Sequence, residues 1–397
     1  MNNNQEIKTN FKCPLCGNSD IHSIGFLNGN PYCRKCISFK GKVARFITLQ
    51  NIEPTISLTY RLSKEQKQLS RRLVNNYKNN IDSLVYAVCG SGKTEICLLL
   101  IKFCLSKKLR VGFAVPRKSV CLELGMRFKD IFKNNRITIV YGGNNKVLEG
   151  DIVCLTTHQL FRYHKYFDLL IMDEIDAFPY KGDPVLHQFF LNSVKGHYVL
   201  LSATPSKALI KEFHKPGKDV LELFARFHHH PLPVPKVEIA NYFILHYKLI
   251  KHIYDFIKRN KQIFVFVPTI NDSKKIALFL NVFFHSGTYI NSQRRNNKQI
   301  IEKFRKGKYK FLVTTAVLER GVTVKDLQVI VFHADSVIYD TPSLIQIAGR
   351  AGRKKEAPEG EVIFLAETNT EQIKGAIAEI NAANAKLQDM LQRNKRR

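Results

Sequence analysis

Ala87-Val88-Cys89-Gly90-Ser91-Gly92-Lys93-Thr94 follows the apolar run Leu84-Val85-Tyr86 and leads into Glu95-Ile96-Cys97-Leu98-Leu99-Leu100-Ile101-Lys102-Phe103. A strand, a glycine-bearing turn and a helix start bring backbone N–H groups and a positive helix end onto one anion. The order assigns Gly90, Ser91, Gly92, Lys93 and Thr94 to the phosphates of ATP, with Lys93 at the β and γ groups and Thr94 on Mg²⁺. Ala87 stands where the plain pattern has its first glycine, a change that strand-like φ and ψ tolerate.

Outward from this loop, strand and helix patterns alternate. Residues 110–115 read as a strand ending at Pro116-Arg117, residues 119–132 as a helix, residues 138–141 as a strand ending at Gly142-Gly143, and residues 151–155 as one ending at Thr156-Thr157-His158. Such alternation predicts a parallel sheet with helices on both faces and ligands beyond the strands' carboxyl ends. Arg117, Thr156, Thr157 and His158 lie at those ends and are candidate contacts to a nucleic-acid backbone. The strand Phe167-Asp168-Leu169-Leu170-Ile171-Met172-Asp173-Glu174-Ile175-Asp176 ends in carboxylates. Asp173 is placed to hold Mg²⁺, and Glu174 to polarise the water that attacks a γ phosphate. Val199-Leu200-Leu201 runs into Ser202-Ala203-Thr204-Pro205 as one more strand ending in hydroxyls. Upstream, Leu62-Ser63-Lys64-Glu65-Gln66 opens a helix reaching about Tyr77, with Ser63 as N-cap. Gln66 stands open between reading an adenine edge and a plain surface role.

The 397 residues suit two or three domains, and the formal charge of +29, from 62 Lys and Arg against 33 Asp and Glu, attracts a polyanion. Nucleic acid is the expected partner; the Lys and Asn usage of an AT-rich genome explains part of the excess, and a basic membrane-surface protein is the other reading. No run of eighteen apolar residues exists and the amino terminus has no apolar signal core, so a soluble, cytosolic chain is expected. Nine cysteines, an odd number, argue against a disulfide framework. Cys13-Pro14-Leu15-Cys16 and Cys33-Arg34-Lys35-Cys36 are two knuckles sixteen residues apart, the spacing of a four-thiolate structural Zn²⁺ site, with a redox pair as the competing reading. Cys89, Cys97, Cys104, Cys121 and Cys154 read as small core residues. Lys12, Arg34, Lys35, Lys40, Lys42 and Arg45, interleaved with Tyr32 and Phe39, read as a nucleic-acid face or as a solvated one.

A second α/β pattern follows. Residues 262–267 form a strand ending at Pro268-Thr269, residues 272–284 a helix, and residues 310–315 a strand whose Thr314 and Thr315, with Thr269, are further candidate nucleic-acid contacts. That strand leads to Leu318-Glu319-Arg320-Gly321-Val322-Thr323; residues 327–332 and 361–365 supply further strands, and Gln346-Ile347-Ala348-Gly349-Arg350-Ala351-Gly352-Arg353 lies between them. Phe227-His228-His229-His230-Pro231-Leu232-Pro233-Val234-Pro235 reads as a stiff linker. Three adjacent histidines in extended chain do not converge on one metal, and a charge-tunable linker is the expectation. Residues 370–392 read as a helix ending in Arg393-Asn394-Lys395-Arg396-Arg397, a cluster suited to DNA, to anionic lipid or to a frayed end, and given no role.

In order, Gly92-Lys93-Thr94, Asp173-Glu174-Ile175-Asp176, Ser202-Ala203-Thr204 and Gln346 to Arg353 resemble the motifs of superfamily 2 helicases over about residues 60 to 365. The resemblance implies two RecA-like lobes, an arginine finger at Arg353 with Arg350 and Gln346 beside it, and a motif at residues 318–323 that couples nucleotide state to backbone grip. A four-cysteine ribbon ahead of such a motor, with Asp-Glu-Ile-Asp-Ala-Phe-Pro and Leu-Glu-Arg-Gly-Val-Thr, is similar to the ComFA family of late-competence ATPases. That likeness implies a cytosolic motor for uptake of single-stranded transforming DNA, near a membrane channel and with a ComFC-like partner. The PriA replication-restart helicases are the nearest alternative, but their cysteines interrupt the second lobe and a DNA-binding domain leads their chain. A DNA-binding adaptor that uses ATP as a switch and an RNA-remodelling helicase are the other readings. Intact Glu174, Arg350 and Arg353 speak against the adaptor.

The expected fold is α/β, two RecA-like lobes with parallel sheets plus a small N-terminal zinc ribbon. Its divisions are 1–50 for the four-cysteine domain, 51–226 for the first lobe, 227–240 for the linker, 241–368 for the second lobe and 369–397 for the basic C-terminal helix.

Overall fold

The computed structural model describes residues 11–176, 180, 182–294, 296–315 and 324–395. Residues 177–179 of the carboxylate motif and the stretch Leu318–Thr323 lie outside the described residues. Contacts divide the chain into two units, Met1–Tyr86 with Lys93–Leu221 and Ala87–Gly92 with Glu222–Arg397.

The first unit begins with an antiparallel hairpin, β1 (Ile24–Leu27) and β2 (Asn30–Cys33), flanked by the cysteine knuckles. Then come α1 (Lys64–Lys78), β3 (Asp82–Ala87), α2 (Lys93–Ser106), β4 (Val111–Val115), α3 (Lys118–Ile131), β5 (Ile137–Val140), β6 (Ile152–Thr156), β7 (Phe167–Asp173), α4 (Pro184–Ser193), β8 (Val194–Ser202), α5 (Lys207–Phe213) and β9 (Lys218–Leu223). The sheet runs β5-β6-β4-β7-β8-β3-β9, with β5/β6, β6/β4, β4/β7, β7/β8 and β8/β3 all parallel. Every residue of β4 and β6 is buried. A parallel sheet covered on both faces demands such continuous apolar strands. Ser63 caps α1 in a reciprocal box with Gln66, as the sequence predicts for that residue.

The hairpin does not float. Residues 40–57 run from it along the first unit, and a buried and a half-buried arginine fasten them. Arg162 donates from Nη1 to Lys42 O at 2.6 Å and from Nε to Gln159 Oε1 at 2.7 Å, while its own carbonyl accepts from Ala44 N at 2.9 Å. Arg110 donates to Ile47 O at 3.0 Å and lies over the Phe46 ring. Phe39 packs edge-on against Phe189, and Asn192 donates to Leu15 O at 2.9 Å.

The second unit holds β10 (Lys236–Ile239), α6 (Tyr242–Lys258), β11 (Gln262–Phe266), α7 (Ile270–Phe284), β12 (Gly287–Ile290), α8 (Asn297–Arg305), β13 (Phe311–Thr314), β14 (Leu327–Phe332), α9 (Thr341–Ala348), β15 (Val362–Ala366) and α10 (Glu371–Lys395). Its sheet, β10-β15-β14-β11-β13-β12, is parallel throughout. Phe264, Phe266, Val329, Val331 and Phe364 face one apolar cluster; Ile263, Val265, Ile330, Ile363 and Leu365 face another. Alternate residues of each strand thus bury against opposite layers. The two units are α/β with RecA-like parallel sheets, the fold class the sequence predicts. No described helix is long and apolar enough to cross a membrane.

Removing the Arg162 guanidinium orphans the Lys42 carbonyl and the Gln159 carboxamide. Arg162→Ala is expected to cost about 2 kcal/mol, read as a lowered melting midpoint with faster amide exchange confined to residues near 42–47. Unchanged exchange there would contradict the fastening role.

Candidate active site

The register of the first sheet sets the site. Val85 pairs with Leu201, and Leu201 with Asp173, so β3, β8 and β7 finish level. The glycine-bearing turn leaves β3 after Ala87, two residues beyond this row, the carboxylates leave β7 in it, and Ser202 ends β8 beside Tyr86. Gly90 at φ 81° and Gly92 at φ 82° take left-handed conformations that side chains resist, which is why the turn needs glycine at both places. Lys93 and Thr94 open α2, whose inner face buries Ile96, Cys97, Leu100 and Ile101.

At the end of β7 the geometry is tense. Glu174 sits at φ 56°, uncommon for a residue with a Cβ, and its N–H donates to Asp173 Oδ1 at 2.8 Å. Burial, then the neighbouring Glu174 charge, pushes the Asp173 carboxyl up to about 7, with Lys93 pulling the other way. A buried carboxyl that resists ionisation, with a second carboxylate next to it in the chain, is a donor set that a divalent cation relieves, so the residues fit Mg²⁺. Thr204 Oγ1 donates to Asp176 Oδ2 at 2.5 Å, and its N–H to Ser202 Oγ at 3.0 Å. The hydroxyl-ended strand is thereby tied to the carboxylate turn. Glu95, directly after Thr94, pairs with Arg127 and accepts from Tyr60 at 2.9 Å. The sequence carries no local signal for these two ties, because their partners lie 28 and 32 residues apart in the chain.

Gln66 is buried, and its carboxamide oxygen accepts from Ser63 N at 2.9 Å, so the helix cap uses that atom.

In the second unit, Asp340 caps α9 by accepting from Ser343 N at 3.0 Å, and the helix ends just ahead of Gly349-Arg350-Ala351-Gly352-Arg353. Gln346 and Arg350 are buried; Arg353 is partly exposed and donates from Nε to Gly349 O at 2.9 Å. Gly352 has φ 62°, and a Cβ there would come within 2.2 Å of Pro358 O, so only glycine fits.

The candidate nucleic-acid residues fall into two groups. Arg117, at the mouth of β4, and His158, beside Phe39, are partly exposed, and Thr269 is exposed, where it caps α7. Burial pulls the His158 imidazole below its ordinary value, against the opposing pull of Asp183. Thr156, Thr157, Thr314 and Thr315 are buried, and Thr314 Oγ1 donates to Thr315 O at 3.0 Å.

Cys13, Cys16, Cys33 and Cys36 are buried with all four sulfurs within 4.8 Å of one another, and the Cys13–Cys36 and Cys16–Cys33 separations are 3.5 Å. A tetrahedral Zn–S distance of about 2.3 Å places sulfurs about 3.8 Å apart, so the four thiols fit zinc. Burial holds the Cys16 thiol up at about 11; at Cys33 burial acts the same way, but hydrogen bonds from Cys16 and from the Cys36 and Lys35 backbone outweigh it and bring that thiol to about 7. A dication supplies the charge that four clustered thiolates need.

Residues 246–355 match the family described as helicase conserved C-terminal domain, and residues 59–207 the family described as type III restriction enzyme, res subunit. Competence protein ComFA of Bacillus subtilis is 33% identical over 408 residues, covering 96% of this chain and 88% of its own. The ComFA of Streptococcus pneumoniae is 30% identical over 389 residues, covering 94% and 90%. Among solved structures, S. cerevisiae Dbp5 bound to RNA and ADP BeF3 aligns with a TM-score of 0.60 at 15% identity, covering 81% of this chain and 91% of that one, a likeness of fold alone. The helicase families and the assembled strand ends make this chain an ATP-dependent, helicase-type ATPase. Identity at that level along nearly the whole of both curated relatives shows that the chain belongs to the ComFA family of competence proteins.

Proposed function

We propose that this chain is a motor on single-stranded DNA that spends ATP to draw transforming DNA inward during competence. The level ends of β3, β8 and β7, from which the chain runs on to Thr94 after β3, to Thr204 after β8 and out from Asp173 at the end of β7 in a member of the ComFA family, carry the reading. Lys93 binds the β and γ phosphates, and Gly90 to Gly92 present backbone N–H groups to them. Thr94 and Asp173 would hold Mg²⁺, which when bound neutralises phosphate charge. Glu174 orients the attacking water and accepts its proton; the strained backbone at this residue supports a fixed approach. Arg353, with Arg350 and Gln346, offsets charge that develops on the γ phosphate. The Asp176–Thr204 tie gives a route from the state of the phosphates to β8.

A charge of +29 suits a polyanionic track, and Arg117, His158 and Thr269 are the accessible candidates to grip it. The four-thiol cluster is proposed as a structural zinc site that stiffens the hairpin against the first unit. A ComFC-like partner and a channel at the inner face of the membrane are proposed from family membership.

The test is steady-state ATP hydrolysis without nucleic acid and with single-stranded DNA, duplex DNA or RNA, beside Lys93→Ala and Arg353→Ala. Stimulation is expected to be strongest with single-stranded DNA, and each variant is expected to lose at least about 100-fold. Tight DNA binding with no stimulation by any nucleic acid would leave a switch-like adaptor instead. Metal analysis of the purified protein is expected to find one zinc per chain, lost in Cys33→Ser together with part of the thermal stability. A metal-free protein with an unchanged melting curve would contradict the structural zinc.

A further inference from the structure

Arg226 is the largest fully buried side chain in the described residues, at 1% exposure, and its hydrogen bonds there all go to backbone carbonyls. Nη1 donates to Ala351 O at 3.0 Å and to Gly352 O at 2.8 Å, and Nη2 to Gly349 O at 3.2 Å. Nε donates at 3.2 Å to the carbonyl of Cys89, which groups by contact with the same unit. A helix leaves its last carbonyls without intrahelical partners, and the turn after α9 adds more. One planar guanidinium, with its donors in a rigid fork, collects three of them. His228 adds a fourth bond: its Nε2–H donates to Gly352 O at 3.0 Å while Nδ1 accepts from His230 N at 3.2 Å. Both ring nitrogens are thus used by a neutral imidazole. Burial, then Arg226, accordingly pulls His228 down to about 4, so this part of the linker carries a fixed neutral ring near neutral pH rather than a tunable charge.

The turn so held is the one that bears the arginines. Arg353 Nε donates to Gly349 O at 2.9 Å, the same carbonyl that accepts from Arg226 Nη2. Gly352, whose carbonyl accepts from both Arg226 and His228, has no room for a side chain. Burying a cation without a carboxylate is costly, and a hydrophobic residue would fill the volume at less expense. Burial, then Arg353, lowers Arg226 only to about 10, so it stays charged in neutral solution.

We infer that Arg226 is a positioning residue for ATP hydrolysis, which fixes the Gly349–Arg353 turn and through the shared Gly349 carbonyl sets where Arg353 points. The inference rests on the ATPase reading above. Nothing in the motif series marks Arg226, which lies well ahead of the arginine-bearing turn in the chain.

The experiment compares the full-length parent with Arg226→Ala, Arg226→Lys and Arg353→Ala, measuring kcat and KM for ATP with saturating single-stranded DNA, thermal melting, and amide exchange of the peptide spanning 344–356. A misplaced arginine loses transition-state contact and not ground-state binding, so Arg226→Ala is expected to lower kcat about 100-fold with KM changed by less than about threefold. Arg226→Lys, which keeps the charge and loses the fork, is expected to fall between it and the parent. Free guanidinium below denaturing concentration is expected to restore part of the Arg226→Ala rate and none of the Arg353→Ala rate. Exchange in 344–356 is expected to quicken in Arg226→Ala and not in Arg353→Ala. A kcat within about twofold of the parent, a loss confined to KM, or the collapse of cooperative melting in both Arg226 variants would overturn the inference, the last by assigning Arg226 to stability alone. Should the parent hydrolyse no ATP, the motor reading fails, and unchanged exchange in Arg226→Ala would still overturn the clamp by itself.

Discussion

Parallel register is the constraint on which the first unit depends. Because β3, β8 and β7 pair side by side with Val85, Leu201 and Asp173 in one row, three separate loops leave the sheet at the same level. β7, most of β3 and the second half of β8 are buried, so a slip of one residue would turn apolar side chains to the wrong layer and move the row as well. The position of the chemistry is therefore bound to the packing of the core. Glu174 with its left-handed backbone and Asp173 with its reluctant carboxyl are the local strain this arrangement carries.

The second unit solves a different problem. Its arginine-bearing turn follows a short helix, α9, and a short helix end has carbonyls to satisfy and little length to hold them rigid. A buried cation and a neutral imidazole from residues 226–228 satisfy them from outside the helix. A polar network of this kind specifies one geometry where apolar packing alone tolerates several.

The turn after β3 was legible in the sequence because its signal is local: two glycines with positive φ, then lysine and threonine at a helix start. The continuous apolar strands β4, β6 and β7 were legible for the same reason, and the four cysteines converge as their spacing implied. What escaped depends on partners far along the chain. Strand β8 begins at Val194, ahead of the apolar run that the sequence showed, because Lys195 pairs with Asp168 and His197 with Asp82, which lets polar residues serve in a strand. The short β12 and α8 offered too few periods to read. Thr156 and Thr314 end strands as read, but a strand end does not reveal which way a hydroxyl turns, and both are buried. Arg226 carries no local signal, since the carbonyls that hold it lie more than a hundred residues away.

In the proposed mechanism hydrolysis is performed at the end of β7, with Glu174 as the group that takes the water's proton. Its most direct test is a Glu174→Gln variant examined for equilibrium ATP binding and for single-turnover hydrolysis with single-stranded DNA present. ATP affinity is expected to stay near that of the parent, with the hydrolysis step slowed at least about 100-fold. A Glu174→Gln protein that hydrolyses ATP at the parent's rate would contradict this mechanism.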